Sequence, residues 1–318
     1  MIRTPLNFPV LAVLVMVTCS SCSGDSWQRK FGWKAEEYFE DPQVIALCHA
    51  IEDREFDEID RLVADGVEVN TVGKNGMTPL LWAYPGNDLE LFEYVLERGA
   101  DPNVILTGHM GKKVNMRPGD SVMSMCAKTV FPGYLKAVLK HGGNANIQDS
   151  WKNSPLHSVV CNGKNKQVRV QALLDSGADI DSLSGSDVTP AMEAISQGGQ
   201  YELALFLLKK GADPSTRRRS DLRNLPEFLW ADAEKRRGNW TQENQRSFHA
   251  IWVYLEEHGY SMSAVASDHE RWMGDMKKHP TSQYKSTLMY KELSERMRQE
   301  QAEKQRQPEA ENEGGWHG

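Results

Sequence analysis

The sequence has little cysteine, no basic surplus and no long apolar run. Five Cys among 318 residues are too few for a domain built on disulfides. Lys and Arg number 37 against 44 Asp and Glu, a net charge of −7, which argues against a general nucleic-acid binder. The apolar run at residues 6–17 is too short to cross a bilayer as a helix. There is no Gly-x-x-x-x-Gly-Lys phosphate loop, no Gly-x-Ser-x-Gly elbow and no His-Glu-x-x-His pair. Ser282-x-x-Lys285 lies in a polar stretch that offers no buried acyl-transfer site. Binding is therefore favoured over catalysis. No catalytic residue, metal, cofactor or small-molecule substrate is expected.

What the chain has is a phrase that recurs. Leu-Glu-Arg-Gly-Ala-Asp-Pro-Asn ends at Asn103, Leu-Lys-His-Gly-Gly-Asn-Ala-Asn at Asn146, Leu-Asp-Ser-Gly-Ala-Asp-Ile-Asp at Asp181 and Leu-Lys-Lys-Gly-Ala-Asp-Pro-Ser at Ser215. An earlier copy ends at Asn70, and the shared Gly falls at 66, 99, 142, 177 and 211, in steps of 33, 43, 35 and 34. A second phrase opens short helical runs: Thr78-Pro79-Leu80-Leu81, Ser154-Pro155-Leu156-His157 and Thr189-Pro190-Ala191-Met192, with Asp120-Ser121-Val122-Met123 a degraded copy. A hydroxyl residue before Pro can cap a helix whose first turn tolerates Pro. Gly after Leu-x-x ends the next helix through a left-handed residue. Leu91, Val95 and Leu96, then Val170, Leu173 and Leu174, then Leu203, Phe206 and Leu207 keep helical spacing.

On these phrases the chain resembles the ankyrin repeat. The resemblance is close over residues 41–215 and weak over 222–260. It implies an all-α ankyrin-repeat solenoid of about six helix-turn-helix repeats with β-turn fingers, stacked to bury one apolar face per repeat. The domains expected are a leader over 1–21, a tether over 22–41, the solenoid over 42–260 with a degenerate last repeat, a helical extension over 261–306 and a disordered tail over 307–318. The third repeat carries about ten surplus residues within 105–119, where a hairpin or loop should project. His157 and the Asp of each Gly-Ala-Asp phrase should serve the loops by hydrogen bonding. Cys48, Cys126 and Cys161 should fill the core as free thiols. Arg217-Arg218-Arg219 should be a solvated loop.

The resemblance also implies protein binding through finger tips and the inner faces of first helices. Mapped here, those places include Lys74, Asn75, Met77, Pro85, Lys112, Lys113, Arg117, Ser150, Trp151, Asn153, Ser186, Val188, Ser196 and Gln197. Trp151 at a tip is either an interface anchor or a ring folded back onto Pro155 or the adjacent finger. Ahead of the repeats, a positive start, a short apolar run and Thr18-Cys19-Ser20-Ser21-Cys22-Ser23-Gly24-Asp25 resemble a bacterial lipoprotein leader. That resemblance implies lipid on Cys22, with Cys19 as the alternative, and attachment to the outer membrane facing the periplasm. Small ankyrin-repeat lipoproteins of this layout resemble immunity proteins paired with type VI secretion phospholipase effectors. The partner implied is such a toxin. A general periplasmic scaffold supporting an envelope enzyme is the other reading.

Overall fold

The computed structural model describes residues 31–111, 116–129, 132–236, 241–265 and 267–268. The leader with Cys19 and Cys22, the basic pair Lys112 and Lys113, the extension beyond residue 268 and the tail lie outside them. The described chain is helical. Its β-type pairing is one isolated bridge, Ile105 with Ser121.

A short α1 (Ala35–Tyr38) precedes six helix pairs. These are α2 (Pro42–Glu52) with α3 (Phe56–Ala64), α4 (Pro79–Ala83) with α5 (Leu89–Glu97), and α6 (Val122–Lys128) with α7 (Pro132–Lys140). They continue as α8 (Pro155–Cys161) with α9 (Lys166–Asp175), α10 (Pro190–Ser196) with α11 (Tyr201–Lys209), and α12 (Leu225–Arg236) with α13 (Gln242–Glu257). First helices touch first helices (α2 with α4, α6 with α8, α8 with α10, α10 with α12) and second helices touch second helices (α5 with α7, α7 with α9, α9 with α11, α11 with α13). The result is two layers sharing one core, because neither helix of a pair can hide its apolar stripe alone.

The opening phrase works as its chemistry requires. Thr78 Oγ1 accepts from Leu81 N at 3.1 Å, Ser121 Oγ from Ser124 N at 3.1 Å and Thr189 Oγ1 from Met192 N at 3.3 Å. Ser154 is different. Its Oγ meets His157 Nδ1 at 2.8 Å, and His157 Nε2 meets the Val188 carbonyl at 2.9 Å in the next finger. The closing Gly is left-handed at 66, 99, 142, 177, 211 and again at 259, so the worn sixth repeat ends like the rest.

The closing loops are joined by a ladder. Asn70 donates to Gly99 O at 2.9 Å and accepts from Asp101 N at 2.7 Å. Asn103 does the same with Gly142 O (3.0 Å) and Asn144 N (2.7 Å), and Asn146 with Gly177 O (2.8 Å) and Asp179 N (2.7 Å). Within each loop the Glu, Asp or Asn two residues earlier accepts from this residue's own N–H, as Asp101 does from Asn103 N at 2.8 Å. The acidic residues of the phrase therefore orient loops.

Four expectations are corrected. Residues 31–41, assigned to a tether, are packed on the solenoid: Trp33 is 5% exposed and its Nε1 donates to Met110 O at 2.7 Å. The surplus of repeat three folds inward, with Leu106, Met110 and Met116 buried. Of the three cysteines, Cys48 and Cys126 are in the core, but Cys161 is exposed and its thiol donates to Glu193 Oε1 at 3.3 Å. The basic run is largely paired: Arg217 with Glu227 at 3.3 Å, Arg218 with Asp221 at 3.1 Å.

Candidate protein-binding site

The site follows from which parts of the repeat surface the chain leaves uncovered. Over repeats two and three it covers its own inner face. Trp33 and Tyr38 lie against Trp82 of α4, with ring centroids 6.0 and 6.4 Å apart, and Phe31 adds to the cluster at 5.5 Å from Trp33. Every residue of α4 is buried, and α6 is buried through Ala127. The folded-in loop is fastened to finger two: Thr107 N and Gly108 N donate to Asn75 O at 3.0 and 3.3 Å, and Asn75 Nδ2 donates to His109 O at 3.2 Å. Gly76 is left-handed there, and a Cβ on it would strike Ile105 O at 2.8 Å.

Over repeats three to five the fingers stay open to solvent. A buried charge network holds two of them. Lys128 Nζ lies 3.1 Å from Asp120 Oδ1 and 3.0 Å from Asp149 Oδ2. Asp120 accepts from Arg117 N at 3.0 Å and from Ser150 N at 3.1 Å, so one carboxylate ties finger three to finger four. Asp149 Oδ1 accepts from Trp151 N and Asn153 N, both at 2.8 Å. Burial by itself would raise the Asp120 pKa. The N–H groups of Ser150 and Arg117 and the Lys128 ammonium outweigh it and hold the carboxyl below its ordinary range.

The backbone so fixed presents Trp151, 59% exposed, with the Arg117 guanidinium carbon 4.7 Å from its ring centroid. That is cation–π distance. The ring is largely exposed and lies against the cation of the adjacent finger. Gly185 of the next finger lies directly against the Trp151 carbonyl, where a Cβ has no room. Lys74, Arg117, Lys152, Ser186 and Arg219 are exposed along the same row of connections, and Val72 and Ile105 join Trp151 among the exposed large apolar side chains.

The expected binding residues thus divide. Arg117 and Trp151 are brought together, and Lys74 and Ser186 are exposed nearby in sequence-equivalent fingers. Asn75 is half-buried and spends its amide and carbonyl on the folded-in loop. Asn153 is half-buried and closes its finger by accepting from Asp149 N at 3.0 Å. Met77 and Val188 are buried, while Ser196 and Gln197 are exposed at the end of α10. Sequence reasoning missed Lys128, Asp120 and Asp149. Their one signal was an Asp at the finger of repeat four and another beside the degraded opening phrase.

Residues 75–105 match the family model described as ankyrin repeat, and residues 123–218 one described as ankyrin repeats in three copies. The chain is 29% identical over 191 residues to "Ankyrin repeat protein nuc-2" of Neurospora crassa, covering 59% of this chain and 16% of that protein. It is 29% identical over 138 residues to "Neurogenic locus notch homolog protein 1" of Xenopus laevis, covering 41% of this chain and 5% of that protein. The chain thus spans a small part of the length of the curated relatives it matches. A solved ankyrin repeat protein, EF0377, superposes with a TM-score of 0.50 at 24% identity, over 69% of this chain and 98% of its own. The described chain is an all-α ankyrin-type solenoid, and the ankyrin repeats at residues 75–105 and 123–218 indicate a protein-interaction module.

Proposed function

We propose that the protein is a non-catalytic, membrane-tethered binding module that neutralises a secreted toxin in the periplasm, as an immunity protein. A phospholipase effector is the toxin class this reading favours. The observation that carries it is the Trp151–Arg117 tip, an exposed aromatic and cation on a backbone pinned by buried carboxylates. Hot spots are rich in Trp and Arg set on rigid supports. The exposed side chains along the fingers of repeats three to five, Arg117, Trp151, Lys152 and Ser186, support placing the partner there. The short apolar leader and the small-residue box at Cys22 support lipid attachment and hence the compartment.

The test has two arms. Cells directing a phospholipase toxin to the periplasm should survive when they make the protein, and Cys22→Ser should move it out of the membrane fraction and weaken protection. Calorimetry with the purified toxin should show Trp151→Ala losing about 2 kcal/mol or more of binding free energy. Survival without binding, or binding without protection, would favour the scaffold reading over immunity.

A further inference from the structure

The loop ladder changes chemistry at its fourth rung. Asn70, Asn103 and Asn146 each donate to a glycine carbonyl of the next loop and accept from an N–H two residues on. The equivalent residue between repeats four and five is Asp181. Both its oxygens accept from Asp213 N, at 3.0 and 3.2 Å. An ionised carboxylate has no hydrogen to give, so the carbonyl of Gly211, which an Asn would satisfy, receives nothing from it. The charged groups facing Asp181 are carboxylates too: Asp179 on its own loop and Asp213 on the loop packed against it.

We propose that Asp181 is a proton-operated joint between repeats four and five. Protonated, its O–H donates to Gly211 O and completes a rung like the asparagine ones. Ionised, it removes that donor and places three carboxylates together, which loosens the contact. The loosening falls on the stacking of α8 and α9 against α10 and α11. Burial, aided by the two neighbouring carboxylates and opposed by the Asp213 N–H, lifts the Asp181 pKa to about 6. The folded-state value is above the unfolded one. The stabilisation is therefore complete below the ordinary Asp range and is lost as pH rises through about 6.

Hydrogen exchange on the full chain, corrected for the intrinsic pH dependence, tests this. Protection of α10 and α11, relative to α4 and α5, should fall roughly tenfold between about pH 5 and about pH 7.5; a half-buried group is screened and so gives less than its full shift allows. In Asp181→Asn the fall should vanish, with protection held at the acid level. Asn146→Asp should create a matching pH dependence at the junction of repeats three and four. A flat wild type, an unchanged slope in Asp181→Asn, failure of that variant to fold, or an Asn146→Asp junction that ignores pH would each overturn the proposal. So would a carboxyl carbon NMR titration placing Asp181 at the ordinary Asp value.

Discussion

The two halves of the solenoid are written in the same phrases yet solve opposite problems. Repeats one to three turn inward. Aromatic rings from residues 31–38 pack against Trp82 of α4, and Tyr84, Phe92 and Tyr134 form a second aromatic group between repeats two and three. Repeats four to six turn outward. Their fingers are set by buried carboxylates and by arginines paired with Asp221 and Glu227, and the fourth ladder rung is an acid. The repeat thus specifies where helices go, while the residues outside its phrases decide whether a face becomes core or surface.

The comparison breaks most visibly at Trp33. Trp33→Ala should cost about 3–5 kcal/mol, the range for a buried aromatic truncated to Ala. The loss should be read from urea unfolding followed by circular dichroism. A loss under about 1 kcal/mol would mean that the 31–38 segment adheres without supporting the first half.

How much of this was legible in the sequence depends on whether a contact is local to the phrase. The caps at Thr78, Ser121 and Thr189, the left-handed Gly residues and the His157 link repeat with the period, so they could be read from it. The Trp33–Met110 bond joins residues 77 apart with no periodic partner. A surplus loop and an amino-terminal tryptophan carry no signal that they meet, and they read as projection and tether. Arg217–Arg219 shows the reverse failure. Its partners Asp221 and Glu227 lie 3 and 10 residues from Arg218 and Arg217, close enough to have been weighed against a solvated run. The Trp151–Arg117 pairing was half legible: each residue fell in a finger, but only stacking of repeats sets their 4.7 Å contact.

The next effect belongs to the charge network between fingers three and four. Lys128→Met leaves Asp120 and Asp149 buried without their shared cation. Breaking a fully buried pair costs about 3–5 kcal/mol; with Lys128 partly exposed, about 2–3 kcal/mol is expected from chemical denaturation near neutral pH. The pH sign sharpens the contrast. Asp120 has a depressed pKa, so its contribution is present above the ordinary carboxylate range and lost as pH falls below it. Asp181 has the opposite slope, losing its contribution as pH rises through about 6. Wild type should thus weaken at fingers three and four in acid and at the junction of repeats four and five toward neutral pH. Equal slopes in residue-resolved exchange at both places would remove the distinction.

A smaller gain is expected at the ladder. Asp181→Asn supplies the missing donor to Gly211 O and removes one of three clustered carboxylates, so it should stabilise the chain by about 1 kcal/mol near neutral pH. Thermal unfolding at pH 7 and pH 5 checks it: the gain should shrink at the lower pH, where the wild-type acid is already protonated. A variant equally stabilised at both values would point to propensity rather than to the proton.

The smallest effect on stability should come from the other tryptophan. Trp151 is a surface residue whose finger is held through main-chain groups: Asp149 grips its N–H, and Gly185 packs on its carbonyl. None of these contacts needs the ring. Among the described residues the ring's partner is Arg117 at an exposed site, worth about 0.5–1 kcal/mol at most, and losing it frees an arginine to water. Trp151→Ala should therefore change unfolding free energy by no more than about 0.5 kcal/mol, against several for Trp33→Ala. The two tryptophans then separate cleanly, one holding the fold and the other available to a partner. If Trp151→Ala instead cost more than about 1.5 kcal/mol in urea unfolding, the ring would be part of the finger stack, and the row of open fingers would lose its anchor.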